Sequence, residues 1–216
     1  MIFLSLKTYP EATGDAVIKL LAAAKTVSQT TGVPIIPCAQ ATDIYRIKQE
    51  LGIEVWAQHV DPIDPGRNAG WISPYAVKQA GATGTVLNHA EHPINPEIIQ
   101  QIIVKAHQYD LKTLVLCETI DLAQRVSAWN PDFIGYEKGA LIAGSVAMID
   151  QEEANIKQLA QTLPQPLIVG AGITSAAHVR KTLAAGAKGV ILASAFVKAT
   201  DPQVKLRELA APLAAG

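Results

Sequence analysis

The sequence predicts a single-domain (β/α)₈ barrel of the α/β class, and three observations predict it. Short apolar runs alternate with longer amphipathic stretches along the whole chain. The pair recurs roughly every 25 residues, eight times. Several runs are apolar at every position, as parallel strands covered on both faces require. An open, doubly wound sheet is the structural alternative. Such a sheet normally carries a glycine-rich turn after its first strand, and here that turn reads Ser5-Leu6-Lys7-Thr8-Tyr9-Pro10, without glycine. A typical barrel of this kind has about 250 residues, so a chain of 216 is a trimmed one.

Taken in order, strand one is expected at 2–6 and a long helix at 11–31, closed by Gly32-Val33-Pro34. Strand two at 34–38 precedes a helix at 42–51, which Gly52 ends. Strand three at 54–58 and a helix at 73–80 follow, with Gly81 just beyond, where a left-handed residue costs little. Strand four is read at 84–88 and its helix at 95–109; strand five at 113–117 and its helix at 120–129. Strand six at 133–136 leads to a helix at 151–163. Strand seven at 167–169 leads to a helix at 175–185, opened by Thr174-Ser175 and followed by Gly186 and Gly189. Strand eight at 189–193 and a helix at 201–211, opened by Asp201-Pro202, complete the set. No linker, low-complexity tract or charge block divides the chain.

The formal net charge of -1 gives no electrostatic ground for a nucleic-acid or membrane partner. No apolar run reaches the roughly 18 residues of a membrane helix. The first residues lack a basic segment followed by an apolar signal stretch, so a cytoplasmic location is expected. Cys38 and Cys117 lie inside apolar segments without CxxC spacing, which suits buried thiols better than a disulfide or metal site.

In a barrel, chemistry belongs at the C-terminal ends of the strands. Strand one ends in Lys7. A lysine closing an apolar strand is usually a solvated surface residue, but at a barrel mouth its ammonium can hold an anionic substrate. Strand four ends in Asn88-His89-Ala90-Glu91. A histidine there is often structural, yet imidazole can donate to a carbonyl oxygen and move protons near neutral pH. Strand six ends in Glu137, where a half-shielded carboxylate gains proton affinity and can act as a base. The bland alternative is a loop acid paired with Lys138. After strands seven and eight come Gly170-Ala171-Gly172-Ile173-Thr174 and Ala193-Ser194-Ala195, small residues that leave backbone N–H groups open to a phosphate. His59 and Asp61 form a short HxD element without a clear further ligand, so no metal is expected, and no cofactor motif is present.

The order of these segments resembles the triosephosphate isomerase family, in the short form typical of archaea. The resemblance rests on Lys7-Thr8-Tyr9 with Glu11-Ala12-Thr13-Gly14, on Ala57-Gln58-His59-Val60-Asp61-Pro62 with Pro65-Gly66, on the GTVLNH run from Gly84 to His89, and on Gly170-Ala171-Gly172-Ile173 with Leu192-Ala193-Ser194. It covers almost the whole chain and implies a TIM barrel without cofactor. The reaction it implies is the interconversion of dihydroxyacetone phosphate and D-glyceraldehyde 3-phosphate through an enediolate. By the same resemblance Lys7 polarises the substrate, His89 is the neutral electrophile and Glu137 moves the proton. Ser5, Glu91, Ile142, Ala143, Gly170, Gly172, Ala193 and Ser194 complete the implied substrate-binding set, with Glu91 orienting Lys7 and residues 142 and 143 closing over the phosphate. The resemblance also implies a homo-oligomer, a dimer or tetramer, held through the third loop at 61–71, which carries Pro62, Ile63, Pro65 and Trp71.

The chain departs from the family pattern in four places. Ser5 stands where asparagine is usual, Ala69 where threonine is, and Ala90 where serine follows the histidine. The sixth loop lacks the proline usual after the glutamate and reads Glu137-Lys138-Gly139-Ala140-Leu141-Ile142-Ala143-Gly144-Ser145. Glycine at 139 is expected to loosen the hinge by ~0.5–1 kcal/mol of ordering cost. Two rival readings fit the same residues: another phosphate-binding barrel enzyme, and a non-catalytic paralogue that only binds phosphosugars. An aldolase would need a Schiff-base lysine inside the barrel, and Lys112 and Lys188 lie at strand starts, the opposite end.

Overall fold

The structure, a computed structural model, describes residues 1–142 and 146–214. Eight parallel strands close on themselves in sequence order: β1 (Ile2–Ser5), β2 (Ile35–Ala39), β3 (Trp56–Ala57), β4 (Gly84–Leu87), β5 (Lys112–Cys117), β6 (Phe133–Tyr136), β7 (Leu167–Val169) and β8 (Gly189–Leu192). β1 pairs with both β2 and β8, which removes every sheet edge. The helices between the strands are α1 (Asp15–Thr31), α2 (Ala41–Leu51), α3 (Pro74–Gln79), α4 (Pro96–Gln108), α5 (Ile120–Ser127), α6 (Met148–Gln151), α7 (Glu153–Thr162) and α8 (Ala176–Ala184). A short α9 (Ser194–Val197) precedes the last helix, α10 (Pro202–Ala214). The predicted barrel is the observed one.

Strand alternation sorts the side chains into two layers. Phe3, Ile36, Cys38, Trp56, Val86, Leu114, Leu116, Ile168 and Ile191 fill the barrel interior. Their neighbours, among them Ile2, Leu4, Val115, Ile134, Val169 and Val190, face the helices in a second, larger cluster. The interior floor is an aromatic cluster: Phe3 meets Trp56 edge-on at 5.1 Å and Phe133 at 5.7 Å between ring centroids. Gly84 opposes Trp56 because a Cβ there would run into the indole. With this cluster filling the floor, the pocket lined by Lys7, His89 and Glu137 opens at the C-terminal ends of the strands.

Two helices differ from the sequence expectation. The helix expected at 11–31 begins at Asp15, because Gly14 at φ +60° breaks the chain after a 3₁₀ turn, Pro10–Ala12. The helix expected at 151–163 begins at Glu153 as α7, and a separate short α6 precedes it, with the break at Glu152. That residue is taken out of helical register to accept bonds from Tyr136 Oη (3.0 Å), Lys138 Nζ (2.6 Å) and Asn155 Nδ2 (2.6 Å).

Candidate active site

Continuing the inward alternation past each strand end gives the site. In β1, Phe3 and Ser5 point inward, so Lys7 emerges at the mouth. In β6, Gly135 is the inward residue, so Glu137 follows. Both, with Ser5, Tyr9, His89 and Ile142, line one pocket whose far wall is Ala171–Thr174 and Leu192–Ala195. Lys7 takes a left-handed backbone, φ 49°, which a non-glycine residue adopts at some cost and which marks a constrained mouth. Its Nζ lies 2.6 Å from Glu91 Oε1.

His89 is brought inward by Asn88, whose left-handed turn (φ 60°) suits asparagine. The Asn88 amide donates to Leu116 O and its carbonyl accepts from Ile94 N, both at 2.8 Å. The turn also fixes the imidazole tautomer. The Glu91 backbone N–H donates to His89 Nδ1 at 3.1 Å, so in the neutral ring the proton sits on Nε2. Nε2 faces Glu137 Oε1 across 4.0 Å. Burial, and then the Lys7 charge, hold the imidazole below its ordinary pKa of 6.5, so the ring is a neutral donor at pH 7.

Glu137 is buried, at 8% exposure. Burial pushes its carboxyl from 4.5 up to about 7; Lys7 opposes this, while Glu91 and Glu118 add to it. It is not paired with Lys138, which turns away to Glu152. Gly170 lies outside the pocket wall, directly against the base: a Cβ there would stand 2.5 Å from Glu137 Oε2. Gly172, at φ +69°, and Ala171, at φ +62°, turn the chain after β7 along the wall. Ala193 caps α9 without a side-chain bond, so the first amides of that turn, from Ser194 on, open on the pocket. Ala143 lies outside the described residues.

One charged residue at the mouth escaped the sequence reading. Glu118 follows β5 and accepts the Gly139 N–H at 2.6 Å. The signal was present: Leu114 and Leu116 face inward, so the alternation carries on to position 118. His59 and Asp61 serve structure. Asp61 Oδ1 meets His59 Nε2 at 3.2 Å and its Oδ2 accepts Ile72 N–H at 2.6 Å, tying the base of the third loop. Among the described residues no His/Cys/Asp/Glu group is placed to hold a metal ion.

Comparison with known proteins decides the family. The family model described as "Triosephosphate isomerase" matches residues 1–135. A triosephosphate isomerase of Methanobacterium bryantii is 35% identical over 97% of this chain and 95% of its own. The chain belongs to the triosephosphate isomerase family. The triosephosphate isomerase of Methanosarcina barkeri is 32% identical, over 96% of each chain. The crystal structure of triosephosphate isomerase from Bartonella henselae superposes with a TM-score of 0.73, covering 91% of this chain and 92% of that one at 19% identity, and so shares the fold. A second family model, "Thiazole biosynthesis protein ThiG", matches residues 138–216. That stretch holds β7, β8 and the small-residue loops after them, and spans well under half of the chain, whereas these triosephosphate isomerase relatives cover 96–97% of it. Among the described residues no helix is long and apolar enough to cross a membrane.

Proposed function

We propose that the protein is a cofactor-independent triosephosphate isomerase, interconverting dihydroxyacetone phosphate and D-glyceraldehyde 3-phosphate in glycolysis and gluconeogenesis. The observation that carries the reading is the facing pair at the pocket floor. A buried carboxylate of raised proton affinity lies 4.0 Å from the protonated nitrogen of a neutral imidazole. Ionised Glu137 removes the proton from the carbon beside the carbonyl and returns it to the neighbouring carbon. His89 donates from Nε2 to the oxygens on which the enediolate charge develops, and the Lys7 ammonium stabilises the same charge. The base, the donor and the cation are all side chains, and the two sugars are isomers, so the reaction balances without a co-reactant. A glutamate base opposite a neutral histidine is the triosephosphate isomerase family's own division of labour; the distances are this chain's.

The substrate phosphate sits, in this reading, against Gly172, Ala193 and Ser194, where left-handed turns and the opening of α9 present N–H groups. Gly170 serves by leaving room for the base. Glu91 orients Lys7, Ser5 lines the wall beside it, and Ile142 and Ala143 close over the phosphate. Binding energy from that remote group then drives exclusion of water around the enediolate. Residues 1–216 form one catalytic barrel domain. It works in the cytoplasm, a location that suits its unpaired, buried Cys38 and Cys117, and as a homodimer or tetramer joined through 61–71. Trp71 is 58% exposed and neighbouring Tyr75 43%, apolar area that a second copy would cover; light scattering at micromolar protein checks this, and a monomer refutes it. The activity itself is tested by a coupled dehydrogenase assay with D-glyceraldehyde 3-phosphate, beside Glu137→Gln. Turnover that collapses by several orders of magnitude in the variant supports the assignment. A folded, phosphoglycolate-binding but inactive wild type sinks it.

A further inference from the structure

We propose that Glu118 is a positioning residue for this reaction: its carboxylate fastens the segment carrying Glu137 and sets a second negative charge beside the catalytic pair. The inference rests on Glu137 being the base. β5 and β6 are laddered up to Cys117 and Tyr136. One backbone rung continues past them, from Glu137 N to Cys117 O at 3.1 Å. The next is made by a side chain, with Glu118 Oε1 accepting the Gly139 N–H at 2.6 Å. Consecutive residues of one strand end thus hold both sides of Lys138, where the family usually places a stiff proline. A carboxylate-to-amide bond is charge-assisted and stronger than a neutral one. The expected looseness of the glycine hinge is therefore countered at Gly139 itself, which sits in a 3₁₀ turn, Gly139–Leu141.

Two departures from the family pattern become one feature. A Cβ at Gly139 would stand 2.5 Å from Glu118 Oε1 and 3.0 Å from Ala90 Cβ. The carboxylate occupies space that a side chain at position 139 would take, and the methyl of Ala90, where serine is usual, borders the same space. The charge acts as well as the bond. The ionisable groups around Glu137 are Lys7 from the β1 end, His89 and Glu91 from the β4 end and Glu118 from the β5 end, with Lys138 occupied by Glu152. Glu118 raises the proton affinity of Glu137 and of His89 together. It therefore helps to keep the base near half-ionised at neutral pH. The bond lies exposed at the rim.

Three variants separate bond, charge and simple structural support. Glu118→Gln keeps an acceptor for the Gly139 amide and removes the charge; Glu118→Ala removes both; Gly139→Ala sets a methyl against the intact carboxylate and forces it to shift. Two readouts need no turnover: the titration of the Glu137 carboxyl by carbon-13 NMR, and hydrogen exchange at the Gly139 amide. Both glutamate variants should titrate Glu137 at lower pH than wild type. The Gly139 amide should stay protected in E118Q, and in E118A it should exchange at least tenfold faster. In the isomerase assay the acid limb of kcat/KM should move to lower pH in E118Q. A kcat loss of about tenfold in E118A and G139A, smaller in E118Q, is expected with KM changed less. An unmoved Glu137 titration together with unchanged Gly139 exchange overturns the proposal. So does a loss in E118A matched by an equal loss in E118Q with no change in the pH limb, since that is the mark of a merely structural residue. A wild type that is inactive yet shows the two NMR effects would instead overturn the isomerase reading and leave the clasp standing.

Discussion

Replacing Glu137 by glutamine removes the base, and by the same physics makes the folded protein more stable at alkaline pH. The carboxyl is buried at 8% exposure and titrates near 7 rather than 4.5. Its proton affinity is therefore higher folded than unfolded, and between those two values the folded state holds more protons. Stability falls with rising pH wherever that holds, so the Glu137 contribution is intact below about 4.5 and is lost as the pH passes through 7. A tenfold difference in proton affinity corresponds to about 1.4 kcal/mol, so ionising Glu137 in place costs about 3 kcal/mol. Glutamine has nearly the same shape and cannot ionise. Urea denaturation of wild type and E137Q at pH 5 and 8.5, at equal protein concentration because assembly shifts the midpoint, reads the difference directly. Groups that titrate alike in both proteins cancel. The variant should gain under about 1 kcal/mol at pH 5 and about 3 kcal/mol at pH 8.5. A gap that does not widen between the two would mean that Glu137 titrates as an exposed acid, and would refute the buried-base argument along with the role built on it.

Other consequences follow from the same geometry. The base must be ionised, so kcat/KM of the wild type should fall tenfold per pH unit below about 7, with its acid limb centred there. His89→Gln removes the donor facing Glu137 and should lower kcat about 10²–10³-fold, while Glu137 keeps a raised pKa in a carboxyl NMR titration. Gly170→Ala would place a methyl 2.5 Å from Glu137 Oε2 and 2.6 Å from Ile191 Cγ2. The expected outcome is a stability loss of about 1–3 kcal/mol by denaturation, with a fall in kcat larger than that in phosphoglycolate affinity, because the methyl displaces the base and leaves the phosphate wall alone. Lys7→Met takes away the cation at the mouth and should cost at least about 10² in kcat/KM.

The fold was legible because a barrel repeats its signal eight times; an error of a residue or two at one strand leaves the order unchanged. What failed was local and competitive. Gly14 and Glu152 interrupt helices whose apolar periodicity runs on past them, the first through backbone conformation and the second at a residue whose carboxylate accepts from Tyr136 and Lys138 of the preceding strand end as well as from Asn155 of its own helix. Neither reason is written in the spacing of apolar residues. Lys7, His89 and Glu137 were legible as strand-end residues, and the structure places all three around one pocket. The tautomer of His89, by contrast, depends on one backbone N–H two residues along, which only a folded turn supplies. Glu118 is the instructive omission. Its type, its place after a strand and its inward parity are all in the sequence, but no family motif points to it. Ala90 and Gly139, seen along the chain, look like separate losses of a serine and of a stiff hinge. In space they adjoin: the Glu118 carboxylate takes the room that a side chain at 139 would fill, and Ala90 borders that room. A departure from a family pattern is therefore better judged by what occupies the vacated volume than by what was removed. At this barrel mouth the occupant is a charge bonded to the segment that carries the base.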